Sequence, residues 1–148
     1  MSQNLFRNSD GSIRNILKNI EGIAFNENPL DFFIILARYK FGTRFIKNNN
    51  KVIDVGCGHG LGAVFLSKYA NSVIGADQDN DLVETNNSNY KNIKNLQFKH
   101  FDLLKPSKSF SNKFDVVVSM DVIEHFNKEK LGTVVNSYYN LLNSEGFA

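Results

Sequence analysis

Residues 52–60 read Val-Ile-Asp-Val-Gly-Cys-Gly-His-Gly, and no other stretch of the chain restricts its fold as tightly. A short β-branched run, 52–55, breaks abruptly into glycines at alternate positions, Gly56, Gly58 and Gly60. Asp54 stands two places before the first of them. Valine and isoleucine suit a pleated strand, and glycine adopts the positive φ that other residues avoid. A strand that ends in such a turn and runs on into a helix opens a βα unit. A small ligand can then lie against bare backbone at the end of a first parallel strand.

The rest of the chain repeats that alternation. Asn28-Pro29 starts a helix in which Leu30, Phe33, Ile34, Ala37 and Phe41 recur at helical spacing, and 48–50, three asparagines, end it. A helix over 60–69 follows the first strand, with Ala63, Val64 and Leu66 facing inward. The second strand covers 72–76 and ends at Asp77; a polar helix spans 79–89. The third strand covers 96–101 and ends at Asp102. The fourth, 114–118, is almost continuously apolar, as befits a central parallel strand covered on both faces. A last helix spans 128–142, 143–146 is a turn, and Phe147-Ala148 begins a fifth strand. Alternating strands and helices specify an α/β fold, a doubly wound, mostly parallel sheet. Ahead of all this, 1–28 is polar and irregular, with one weakly amphipathic stretch at 13–20 after a turn at 9–12.

Composition narrows the function classes. At 148 residues the chain suits one domain. Its 17 basic and 15 acidic residues are interspersed for a net charge of +2, without the concentrated basic face of a nucleic-acid binder. No apolar run approaches the roughly 20 residues of a membrane span, and the N-terminus lacks a signal-peptide core. A single cysteine, Cys57, excludes an internal disulfide and fits a reducing cytoplasm. Three histidines and one cysteine show no metal-ligand spacing.

The glycine turn is selective among nucleotides. A dinucleotide fingerprint requires a third glycine where Leu61 stands, and no phosphate-gripping Gly-Lys-Ser/Thr exists. Asp54 disfavours a pyrophosphate and suits a ligand bearing an ammonium group. Asp54, Gly56, Gly58 and Gly60 resemble, position for position, the first motif of the class I S-adenosylmethionine-dependent methyltransferases, D/E-x-G-x-G-x-G. The resemblance implies a Rossmann-like methyltransferase fold with S-adenosyl-L-methionine as cofactor. It implies that Asp77, 21 residues after Gly56, takes the ribose hydroxyls, with Gln78 near the ribose or adenine edge. Asp102 and the Leu103 amide would meet the adenine. Met120 would pass beside the methionine part, Arg38 would reach the cofactor carboxylate, and Cys57 would offer backbone rather than thiol. Each has a plainer reading: Asp77 as a helix cap, Asp102 as a turn residue before Pro106, Arg38 as a surface arginine. His125, in Glu124-His125 after strand four, is the candidate for chemistry because histidine titrates near neutral pH. A Glu-His pair can equally just order its own loop. His59 would line the site and His100 would be structural.

The acceptor implied is a small molecule, because Ser119-Met120-Asp121-Val122 stands where DNA and RNA amine methyltransferases carry Asn/Asp-Pro-Pro-Tyr/Phe. Nucleic-acid and membrane partners are not expected. Two alternatives stay open: a non-catalytic or incomplete S-adenosylmethionine-binding module, and a nicotinamide-dependent oxidoreductase, which Leu61 and Asp54 disfavour. Residues 1–50 read as a helical cap segment and 51–148 as the cofactor-binding half of one domain. A sheet truncated at the start of strand five implies an open edge on strand four, a tendency to self-associate through it, and weak or absent turnover.

Overall fold

The computed structural model describes residues 29–148. The amphipathic stretch at 13–20 and its preceding turn lie outside them. The chain divides into two compact units, 1–37 and 38–148. Of the first, the described part is the opening of helix α1 (Pro29–Gly42), where Leu30, Phe33 and Ile34 are exposed. Proline at the first helical position loses no hydrogen bond, since that N–H has no partner within the helix.

The second unit contains β1 (Lys51–Val55), α2 (Leu61–Leu66), β2 (Ser72–Asp77), α3 (Asn80–Asn89), β3 (Leu96–His100), β4 (Phe114–Val118), α4 (Leu131–Leu141) and β5 (Leu142–Phe147). The strands form one parallel sheet in the order β3-β2-β1-β4-β5. Chain order therefore reverses between β1 and β4. In open parallel sheets ligands bind beyond the strand ends at that reversal.

Both faces of the central strands are buried. Ile53 and Val55 share one face with Val117, and pack with Val134 and Leu141 of α4 and with Phe101, Leu103 and Phe110. Val52 and Asp54 share the other face with Val116 and Val118. Burying each such aliphatic side chain contributes roughly 1.5–3 kcal/mol, which is why β1 and β4 read as apolar runs.

Several elements differ from the sequence expectation. Helix α1 ends at Gly42 and passes into a 3₁₀ turn, Thr43–Phe45, before the asparagines at 48–50 expected to end it. Helix α2 stops at Leu66, short of 69: Ser67 Oγ donates to the Val64 carbonyl at 2.7 Å, and the next amides tighten into i→i−3 bonds. The last helix begins at Leu131, because Lys128–Lys130 forms a 3₁₀ turn before it. Strand three ends at His100, leaving Phe101 and Asp102 in the loop beyond.

The largest difference is at the sheet edge. Turn chemistry over 143–146 implied a loop and a strand beginning only at Phe147. Instead β5 spans Leu142–Phe147, with Leu142 opposite Phe114 and Phe147 opposite Val116. The Asn143 side chain donates to Asp115 Oδ1 and accepts from the Glu145 amide, so the turn exists, but as an irregularity inside a paired strand. The open edge expected on β4 is thus a correction: β5 covers it, and β3 and β5 are the outer strands among the described residues.

Candidate functional site

The turn after β1 runs through left-handed backbone at each motif glycine, with φ of 75° at Gly56, 51° at Gly58 and 81° at Gly60. The surroundings of the three differ. A Cβ on Gly56 would collide with Val122, and one on Gly60 would lie 2.7 Å from the Phe98 ring. Among the described residues, a Cβ on Gly58 would meet nothing within 4 Å. Gly58 faces open space.

Asp54, just before this turn, is fully buried. The Tyr39 hydroxyl, from the last turns of α1, donates to both its carboxylate oxygens at 3.1 and 3.2 Å. Tyr39 is itself buried, and its ring fills the space a side chain at Gly62 would need. Burial pushes the Asp54 pKa from 3.8 up to about 7; the Tyr39 hydrogen bonds pull it down, and the Asp77 carboxylate adds to the rise. Burial, with Asp54 beside it, drives the Tyr39 phenol upward too, so its proton stays in place. Asp54 therefore ties the end of β1 to the last turns of α1 through Tyr39.

Asp77 ends β2 facing the turn. Its Oδ2 accepts from the Gly58 amide at 2.9 Å and its Oδ1 from the Asp79 amide at 3.1 Å. Asp79 caps α3 by accepting from Asp81 and Leu82. Two residues of α3 complete the frame. Buried Asn86 donates to the Gly58 carbonyl at 2.7 Å, and the Tyr90 hydroxyl donates to the His59 carbonyl at 3.1 Å.

A cavity of about 240 Å³ opens at the reversal point. Its walls are Val55 and Gly56 after β1, Asp77 and Gln78 after β2, Phe101 and Leu103 after β3, and Asp121, Val122, His125 and Phe126 after β4. Of the residues singled out in the sequence, Gly56, Asp77, Gln78, Leu103 and His125 line it together. Gly58, Gly60 and Asp54 build the turn at its edge. Asp102 accepts from the Leu104 amide at 2.8 Å, ordering the loop that brings Phe101 and Leu103 to the wall. Cys57 is buried; burial, with Asp54 and Asp77 nearby, raises its thiol pKa and holds the proton on. Met120 lies against Gly42 of α1, 3.6 Å from where a Cβ would stand. Arg38 forms an ion pair with Asp121, both half-exposed. His59 and His100 are exposed.

Sequence reasoning passed over Asp121, Val122 and Phe126 on the wall, and Asn86 and Tyr90 beneath the turn. Asp121 has a φ of 56°, unusual outside glycine, and no motif announces it. For α3 a signal existed. Val83, Asn86 and Tyr90 recur at helical spacing and are all buried, but Asn86 sits in the asparagine-rich run Asn86-Asn87-Ser88-Asn89, which reads as solvated.

Among the described residues no group of histidine, cysteine and acidic side chains could hold a metal ion, and no helix is long and apolar enough to cross a membrane.

Known proteins resemble this chain in sequence and fold. The family model for the methyltransferase domain matches residues 52–146. The ribosomal protein L11 methyltransferase of Thermotoga neapolitana is 32% identical over 108 residues, 70% of this chain and 38% of that protein. The ubiquinone biosynthesis O-methyltransferase of Pelagibacter ubique is 33% identical over 82 residues, 53% of this chain and 32% of that protein. The TehB-like SAM-dependent methyltransferase of Corynebacterium glutamicum shares the fold, with a TM-score of 0.63 at 22% identity over 81% of this chain and 68% of that one. The chain spans 22–38% of the length of the first curated relatives it matches.

Proposed function

The chain belongs to the methyltransferase domain family, and from that premise we propose that its cavity holds S-adenosyl-L-methionine and serves methyl transfer to a small-molecule acceptor. The observation that carries this reading is the pairing of Gly58 with Asp77. Gly58 presents bare backbone to open space, and Asp77 lies on the cavity wall with its position fixed by two backbone amides. A ligand backbone can approach the first, and ribose hydroxyls can donate to the lone pairs left on the second. The cradle fits a nucleoside joined to an amino acid. Gln78 and the Asp102–Leu103 loop flank the nucleoside end, and the glycine turn, Met120 and Arg38 the amino-acid end. Cys57 contributes backbone within the turn, and Asp54, bonded to Tyr39, ties the strand before it to α1.

When bound, that cofactor supplies a methyl group on a positively charged sulfur, already a good leaving group. The protein's task is therefore to align an acceptor roughly 3 Å from the methyl and to exclude water. Phe101, Leu103, Val122 and Phe126 provide apolar wall for that purpose. An acceptor that must lose a proton finds His125 on the same wall. The near-balanced charge and Ser119-Met120-Asp121-Val122, in place of an Asn/Asp-Pro-Pro-aromatic run, support a small acceptor over a nucleic acid. The relatives named above act, by their names, on a ribosomal protein and in ubiquinone biosynthesis, so the acceptor class is the part to be tested.

The test is calorimetric titration with S-adenosylmethionine and S-adenosylhomocysteine, followed by a methyl-acceptor screen that includes phenols, amines, ribosomal protein and RNA. Saturable binding of both cofactor forms and turnover on a small acceptor are expected. Absence of binding at millimolar ligand rejects the reading. Binding with turnover only on protein or RNA rejects the acceptor class, and binding without turnover selects a cofactor-binding module.

A further inference from the structure

We propose that Asn86, with Tyr90 one turn later, is a positioning residue for the cofactor seat: helix α3 holds the two successive carbonyls of the glycine turn and so sets where its amides point. The proposal rests on the functional reading above and goes beyond its ligand-facing residues. Neither side chain lines the cavity.

Three observations converge. First, among the described residues nothing packs against the outer side of Gly58, so no side-chain contact from them fixes its position. Its place is set by hydrogen bonds to its own peptide groups: its N–H donates to Asp77 Oδ2 at 2.9 Å and its carbonyl accepts from Asn86 Nδ2 at 2.7 Å. Second, Asn86 is a buried amide, 1% exposed, on a helix that is otherwise mostly polar. Burying an amide is unfavourable without a partner, and the partner here is the turn itself. Third, Tyr90, the C-cap of α3, repeats the contact on the next carbonyl, of His59, while its ring lies against Phe98, 5.5 Å between centroids.

The consequence follows from peptide geometry. A trans peptide is planar, with its N–H directed opposite to its C=O. Turning the Gly58 carbonyl towards α3 therefore turns the His59 N–H away from α3. Turning the His59 carbonyl the same way directs the Gly60 N–H to the Cys57 carbonyl, which it meets at 2.9 Å. The same network seats Asp77, because Asp77 accepts from the N–H of the Cys57–Gly58 peptide and Asn86 donates to the C=O of the Gly58–His59 peptide, on either side of the Gly58 Cα. The glycine turn and the acid at the end of β2 are thus one mechanical unit whose third member is on α3.

The experiment compares the parent chain with Asn86→Leu, Tyr90→Phe, Asp77→Asn and the Asn86→Leu/Asp77→Asn double variant. Two quantities are read: hydrogen exchange at the Gly58 amide without ligand, and affinity for S-adenosylhomocysteine. Asn86→Leu is expected to speed Gly58 exchange and to weaken binding roughly three- to tenfold, the worth of one hydrogen bond. Tyr90→Phe keeps the ring and so the packing; it should weaken binding about threefold in a protein that still folds. The double variant should lose less affinity than the product of the single losses, because both hold the peptides that flank one residue, Gly58. Wild-type affinity in a folded Tyr90→Phe or Asn86→Leu variant overturns the proposal, as does a double variant whose losses simply multiply. Should Asn86→Leu fail to fold, Tyr90→Phe alone decides. If the parent itself binds no S-adenosylhomocysteine, the functional reading falls and the positioning role with it, whatever the exchange rates show.

Discussion

Replacing Asp54 by asparagine should stabilise the protein at pH 8 relative to pH 5, against the usual expectation for a buried side chain that accepts two hydrogen bonds. The unfolded chain ionises this carboxyl near 3.8, and the folded chain near 7. A raised carboxyl pKa means that the proton favours the native state. Its contribution is complete below 3.8 and is lost as pH rises to about 7. Between pH 5 and pH 7 the loss is about 1.4 kcal/mol per pH unit, or about 3 kcal/mol in all. The asparagine amide is neutral throughout and still offers an oxygen to the Tyr39 hydroxyl. Denaturant unfolding of parent and variant at both pH values cancels every other titrating group common to the two. The variant's stability relative to the parent should therefore rise by about 3 kcal/mol from pH 5 to pH 8. For a chain of this size that corresponds to a relative melting shift on the order of 6–12 °C. A difference that is flat across the range, or that falls, refutes the assignment of Asp54 as a buried acid burdened by its own charge.

Gly62→Ala should destabilise by about 2 kcal/mol or more in urea unfolding, although alanine is the better helix former, because its methyl would occupy the Tyr39 ring; neutrality would mean that Tyr39 can pack elsewhere. Asp77→Asn, by weakening both the amide network and the proposed ribose contacts, should lower S-adenosylhomocysteine affinity about tenfold or more by calorimetry, and unchanged affinity would reduce Asp77 to a turn residue. Ser137→Ala leaves the buried Leu103 carbonyl without its 2.6 Å donor and should cost about 1–2 kcal/mol of unfolding free energy with cofactor binding little changed.

The alternation of strands and helices was legible because its signals are local. β4 is the apolar run of the sequence residue for residue, and β1 and β2 differ from expectation by one residue each. β5 was not legible for a physical reason. Asn143, Ser144, Glu145 and Gly146 do form a turn, and only the partner strand, through Phe114 and Val116, makes that turn part of a ladder. At the site, Gly56, Gly58, Gly60 and Asp77 announced themselves because backbone conformation and strand ends restrict residue type. No motif announces that Tyr39, 15 positions before Asp54, donates to both its carboxylate oxygens. Asp121 and Arg38, 83 residues apart, meet only through the fold.

The three motif glycines answer to different constraints, and this bears on how the sequence can drift. Gly56 is enforced by Val122 and Gly60 by Phe98 and Tyr90, neighbours that belong to the protein and are there whether or not anything is bound. Gly58 has no such neighbour among the described residues; its left-handed backbone and whatever enters the open space beside it demand glycine there. Selection for folding alone would keep the outer two and relax the middle one, at a strain of roughly 1–2 kcal/mol for an ordinary residue. In descendants of this chain the middle glycine is thus a marker of continued ligand use: a lineage that stopped binding would lose it first, while its fold and the other two glycines persisted.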